Sequence, residues 1–287
     1  MRLAVVPVKN EEDTILQTLA NLEPLALDEV VLVLNGCTDY SLALCQTHCK
    51  HRHYSRKRKV ILLYEHALGV DVPRGVGACY AKEQQASAVL FVDGDLTDDI
   101  SSQLDLMLQT LLRQKQDLVL TNCYPYPDYR SPMAKEIIYH REELNRTLGL
   151  FHQIGIATPS HGPHCISGKA LCTIPPWAFA IPPVELAEAA RLGLKIKVGA
   201  SLCGNGCHQK MRENGHNEQI AQTIIGDCLM AQHYFTMEAE EQLLFWKRFA
   251  QGQEVCLNFM REGWIGAHGK RNFSAMKLNA KQVPVDF

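Results

Sequence analysis

Residues 91–96 read FVDGDL, in which two aspartates straddle a single glycine at the end of an apolar run. With Val89 and Leu90 before it, the segment predicts a buried strand over 89–92 that delivers Asp93 and Asp95 at its carboxyl end. Carboxylates placed so close repel each other unless a cation or solvent compensates. Oxygen ligands from one or two carboxylates, completed by the phosphates of a ligand, suit Mg2+ or Mn2+. Capping of the following helix by the same acids is the plainer alternative.

Working outward, apolar runs predict further strands at 3–6, 30–34, 60–64 and 118–121, with helices at 12–22, 41–49, 77–85 and 100–113 between them. Strands alternating with helices build a mostly parallel α/β sheet, which gathers ligands at the carboxyl ends of its strands. The second half is less regular. It holds a proline-broken stretch at 124–132, a helix at 133–148 and a Gly, His and Pro-rich loop at 158–168. Pro182 and Pro183 open a helix to about residue 192, followed by a strand at 194–198 and closing helices at 220–235 and 240–260. From Gly269 onward the chain reads as a loosely held tail. The organisation is thus two halves, 1–121 and 122–235, with a C-terminal helix and tail at 236–287.

Composition narrows the function. Acids (31) and bases (29) nearly balance, so no global field favours nucleic acid or an anionic membrane. The basic run 51–59 reads as a solvated loop. The opening apolar run is too short for a secretory leader and nothing downstream reaches a membrane-spanning length, so a cytoplasmic protein is expected. Eleven cysteines then read as reduced thiols. Cys45, His48, Cys49, His51 and His53 crowd one segment and Cys203, Cys207 and His208 another, but neither has the paired spacing of a structural zinc site.

The remaining strand-end turns discriminate among nucleotide-binding folds. VPVKNEE, residues 6–12, lacks the glycines that a dinucleotide site or a P-loop would need. LNGCTD, 34–39, offers Asn35 as amide donor and acceptor to a base edge, or simply as a turn before a capped helix. Arg74-Gly75-Val76-Gly77 would let backbone, a helix amino end and a guanidinium approach a diphosphate. Four signals at successive strand ends converge on one edge of one sheet.

These residues resemble the GT-A glycosyltransferases, especially family 2 and its relatives that make glucosyl-3-phosphoglycerate, mannosylglycerate and polyprenyl-phosphate sugars. VPVKNEE resembles the P-x-x-N-E-E start, NGCTD the second-strand G-S-T-D motif, RGVGA the K-G-x-A segment and FVDGDL the D-x-D motif. The resemblance implies a GT-A fold whose nucleotide-sugar-binding half is 1–121 and whose acceptor-side half is 122–235. It places Pro7, Asn10, Glu11 and Asn35 around the nucleoside, Arg74 and Gly75 near the donor diphosphate, and Asp93 and Asp95 on the metal. Fainter matches in the second half put His161, Ser167 and Gly168 on the acceptor side, Glu185 beside the reacting centre as a catalytic residue with Asp95, and His208 as the third metal ligand. The implied partners are a UDP- or GDP-sugar and a small or phosphorylated acceptor, with Mg2+ or Mn2+ as cofactor and a homodimer left open. The acid pair of inverting family 2 enzymes is missing after Ser167. That leaves a retaining enzyme of the sugar-glycerate kind, or an acceptor that is already an anion and needs no base. A sugar-phosphate nucleotidyltransferase and a non-catalytic sugar-nucleotide-binding protein are the alternatives.

Overall fold

The computed structural model describes residues 1–50, 57–123, 132–202, 214–242, 244 and 281–283. The strands are β1 (Arg2–Val8), β2 (Glu29–Asn35), β3 (Arg58–Tyr64), β4 (Ala88–Phe91), β5 (Leu118–Asn122), β6 (His164–Ser167), β7 (Ile196–Ser201) and β8 (Lys281–Val283). The helices are α1 (Ile15–Leu22), α2 (Ser41–Lys50), α3 (Val72–Glu83), α4 (Ser101–Arg113), α5 (Pro132–Thr147), α6 (Phe151–Ile154), α7 (Gly168–Thr173), α8 (Pro182–Arg191) and α9 (Asn214–Thr236).

One eight-stranded sheet runs in the order β7-β5-β6-β4-β1-β2-β3-β8. The pairings β1/β2, β1/β4, β2/β3 and β5/β7 are parallel, whereas β6 runs antiparallel to both β4 and β5, and β8 antiparallel to β3. This is the GT-A arrangement, a mostly parallel sheet flanked by helices. Central strands covered on both faces are apolar throughout, as VVLVL of β2 shows. Alternation divides the core: Leu3, Val5, Val31 and Val33 face α3 and α8, while Ala4, Val6, Val30 and Leu32 face α1 and α4.

The strands predicted in the first half are all present, with ends moved by up to two residues. Several expectations change, among them a helix end moved to Asn214 and a strand moved to Ile196–Ser201. The loop predicted at 158–168 contains β6, whose Cys165 and Ile166 are buried between β4 and β5. The tail predicted from Gly269 includes β8. The helix predicted to start at Gly77 starts at Val72, so Arg74 and Gly75 lie in its first turn, and Gly77 seats the helix on the sheet. A Cβ there would stand 2.1 Å from Val5 Cγ1. Most of the helix predicted at 240–260 lies outside the described residues. No described helix is long and apolar enough to cross a membrane.

Candidate active site at the carboxyl edge of the sheet

The loops after β1 and β2 are bolted together. Asn10, in the left-handed region at φ 57°, accepts from Thr38 N–H at 2.8 Å and donates to Thr38 Oγ1 at 3.2 Å. Glu11 N–H donates to Ser41 Oγ at 2.7 Å, and Glu12 N–H to Asp39 Oδ2 at 3.1 Å. These bonds pull residues 11 and 12 out of the helix predicted to begin there, and α1 starts at Ile15. Burial pushes the Asp39 carboxyl up, but the Ser41 hydroxyl and the Ser41 and Glu12 N–H groups outweigh it and hold the group below the usual carboxylate range. Gly36, at φ 64°, passes so close to the next loop that a Cβ would meet Ala67 N at 2.5 Å. Asn35 is buried and braces that loop, accepting from Leu68 N–H at 2.6 Å and donating to Gly69 O at 3.2 Å. One amide hydrogen and one lone pair remain for a ligand.

The Asp93–Asp95 turn is fixed from both sides. Gly94 N–H donates to Pro7 O at 3.2 Å, and a Cβ on Gly94 would stand 2.7 Å from that carbonyl. Gly94 O accepts from Thr14 Oγ1 at 2.9 Å and Thr18 Oγ1 at 3.1 Å, and Thr18 also donates to Leu96 O. Asn21 continues the brace, donating to Asp98 O and accepting from Ile100 N–H. No sequence motif pointed to Thr14, Thr18 or Asn21. Their common helical spacing, from the residue before α1 through the helix, was the available signal.

Across the turn, Arg74 is buried and its guanidinium is shared. Nη2 lies 2.6 Å from Asp93 Oδ1, and Nη1 pairs with Asp71, the left-handed residue that precedes α3. Arg74 therefore orients Asp93 and presents no unshared cation to a diphosphate. Asp71, which sequence reading missed, lies three residues before Arg74. Asp71 and Asp93 share the single guanidinium of Arg74, and Asp95 follows two residues on, so within this group of four the carboxylates outnumber the cation. The amino end of α3 offsets only about half a charge. Two carboxylates on one turn are the donors that Mg2+ or Mn2+ takes when phosphates complete its shell. Among the described residues no group of three His, Cys, Asp or Glu could hold a metal alone. His208 lies outside the described residues, as do Cys203 and Cys207.

The second-half residues separate. Because β6 runs antiparallel to β4, Ser167 pairs with Ala88 and His164 with Phe91. Ser167 and Gly168 consequently stand at the amino edge, about 17 Å from Asp93 at the usual rise per residue. There Ser167 caps α7 by accepting from Ala170 N–H and donates to Asp117 Oδ1 at 3.0 Å. This corrects their assignment to the acceptor side: the reversed strand carries them away from the edge where it brings His161. Burial, then the Arg141 charge, holds the His161 imidazole well below its usual range, so it is neutral near pH 7. Glu185, in the first turn of α8, is fully buried against His164, with Nε2 to Oε2 at 3.4 Å. His164, Phe91, α3 and α8 share one face of the sheet, and Phe91 precedes Asp93 by two residues.

The family model for glycosyl transferase family 2 matches residues 3–171. No curated protein matches the chain in a sequence search. Similar solved structures include glucosyl-3-phosphoglycerate synthase from Mycobacterium tuberculosis with Mn2+ and UDP-glucose, at 19% identity and TM-score 0.58, covering 81% of this chain and 79% of that one. The same synthase with phosphoglyceric acid matches at 20% identity and TM-score 0.57, covering 81% and 80%. With Mn2+, UDP and glucosyl-3-phosphoglycerate it matches at 21% and 0.56, with the same coverage. At such identities the likeness is one of fold.

Proposed function

The chain belongs to glycosyl transferase family 2, and on that premise we propose that it transfers a sugar from a UDP- or GDP-sugar to a small or phosphorylated acceptor with Mg2+ or Mn2+ held at the Asp93–Asp95 turn. The observation that carries this reading is the negatively charged cluster of Asp71, Arg74, Asp93 and Asp95, at the edge where the β1, β2 and β3 loops converge. An anionic donor fits there only together with a cation.

In this reading Pro7, Asn10, Glu11 and Asn35 wall the nucleoside, and the first turn of α3 with Arg74 and Gly75 faces the diphosphate. Asp95, with Asp93 oriented by Arg74, supplies the metal's carboxylate oxygens, and His208 is the proposed third ligand. When bound, the metal neutralises charge on the departing nucleoside diphosphate. Glu185 stands on the sugar side of the turn and His161 toward the acceptor. The structures with phosphoglyceric acid and UDP-glucose support a small phosphorylated acid as acceptor. The missing acid pair after Ser167 supports transfer with retention.

The test is incubation with UDP-glucose or GDP-glucose, Mn2+ and 3-phosphoglycerate, with the freed nucleoside diphosphate and the sugar product measured by mass spectrometry. Product in Mn2+ and none in EDTA is expected, together with at least about a hundredfold loss on Asp95→Ala. Pyrophosphate release from a nucleoside triphosphate and a sugar phosphate would reinstate the nucleotidyltransferase alternative. Binding of a nucleotide sugar without transfer or hydrolysis would mark a silent binding protein.

A further inference from the structure

His164 and Glu185 form an ionisable pair enclosed by apolar side chains. The imidazole lies flat on Phe91, with ring centroids 4.7 Å apart at 16°, and Phe91 stacks in turn against Phe179 at 6.1 Å. Ile181 and Val184 of the same apolar cluster flank Glu185 along the chain. The side chains of His164 and Glu185 are 1% and 0% exposed, and none of their four polar atoms makes a hydrogen bond. Buried polar atoms are nearly always bonded, because leaving them unpaired costs about 1–3 kcal/mol each. Such a pair, on the sheet face covered by α3 and α8 and beside Phe91, is not what packing alone would retain. Nε2 and Oε2, 3.4 Å apart, can satisfy each other, which leaves Nδ1 and Oε1 in want of a further polar partner.

We propose that His164 is a positioning residue for Glu185: clamped by Phe91, its Nε2 engages one carboxylate oxygen and turns the other toward the donor sugar. The Phe91 stack fixes the plane of the imidazole, and the antiparallel register of β6 sets it opposite Phe91, two residues before Asp93. One Glu185 oxygen is then held, so the carboxylate loses a rotation it would otherwise have to give up when the sugar binds. Misplacement of such a group by an ångström is enough to slow a reaction about a hundredfold. The inference rests on the proposed transfer reaction and adds to it a residue that acts through Glu185.

The experiment compares His164→Gln, His164→Asn and Glu185→Gln, using UDP-glucose and GDP-glucose as donors with Mn2+ and 3-phosphoglycerate. A Gln amide nitrogen reaches the Nε2 position, whereas an Asn amide reaches only Nδ1. The expected result is a kcat about tenfold or more below wild type for His164→Asn, with most of that loss recovered in His164→Gln. UDP affinity in Mn2+ should be the same in all three variants, and the loss in His164→Asn combined with Glu185→Gln should not exceed that of Glu185→Gln alone. A role confined to packing would lower Tm equally in the Asn and Gln variants and would not split kcat between them, which overturns the proposal. Losses that multiply in the double variant overturn it as well. Wild-type chain that turns over neither donor overturns the transfer reading itself, and this inference with it.

Discussion

At the scale of single residues, the site is built from side chains whose roles are set by a neighbour. Asp93 is an oriented carboxylate because Arg74 holds it, and Arg74 is itself held by Asp71. Asp71→Asn should therefore raise the Mn2+ concentration needed for half-maximal activity several-fold while changing the folding free energy by no more than about 1 kcal/mol, measured by metal titration and thermal melts. His161 carries a pH signature. Its folded form resists protonation while the unfolded chain takes up a proton below about pH 6.5, so stability falls as pH drops from there toward the lower folded value. Replacing it, as in His161→Gln, should flatten the dependence of Tm on pH between about 5 and 7. An unchanged slope would show that its burial has no energetic consequence. The D-G-D turn was legible at this scale because its spacing is local: strand, acid, glycine, acid. His164 was not, because nothing in HGPHCIS distinguishes a histidine pointing at a carboxylate from one in a loop; only the β6 register does so.

At the scale of elements, α1 serves as the splint of the Asp93–Asp95 turn. The single Thr18 O–H is shared between two carbonyls of that turn, and Thr18→Val keeps the shape while removing the hydroxyl. The expected cost is about 1–3 kcal/mol in stability, with weakened Mn2+-dependent nucleotide binding. Calorimetry on the folded variant checks both. Equal affinity for variant and wild type would mean that the turn holds its shape without the helix. The parallel strands of the first half were readable because each carries an unbroken apolar run free of charge, from LVL of β5 to VVLVL of β2. β6 has four residues, one a histidine and one a serine, so it reads as loop until β4 and β5 enclose it. That omission had a consequence: without the strand's direction, Ser167 and Gly168 fall on the wrong edge.

At the scale of the whole molecule, the candidate site and a stabilising brace sit at opposite ends of the sheet. Asp117, at the amino edge, ties β5, β6 and the start of β7 by accepting from Ser167 Oγ, Lys195 N–H and Lys169 Nζ. Burial pushes its carboxyl up, but these donors outweigh it and hold the group below its ordinary value. Its contribution is thus present above about pH 3.9 and lost as the pH falls through the lower folded value. Asp117→Ala should lower Tm near neutral pH, and the difference from wild type should shrink in acid; turnover per folded molecule should be unaffected. The carboxyl edge depends instead on charge. A cluster that carries more carboxylates than cations holds a nucleoside diphosphate only through a divalent ion, and titration calorimetry of UDP into the wild-type chain and Asp95→Asn, each with Mn2+ and with EDTA, tests that claim most directly. Wild-type binding that requires Mn2+ and weakens at least about a hundredfold, some 2.7 kcal/mol, in Asp95→Asn is the predicted result. UDP binding of equal strength in EDTA and in the variant would contradict it.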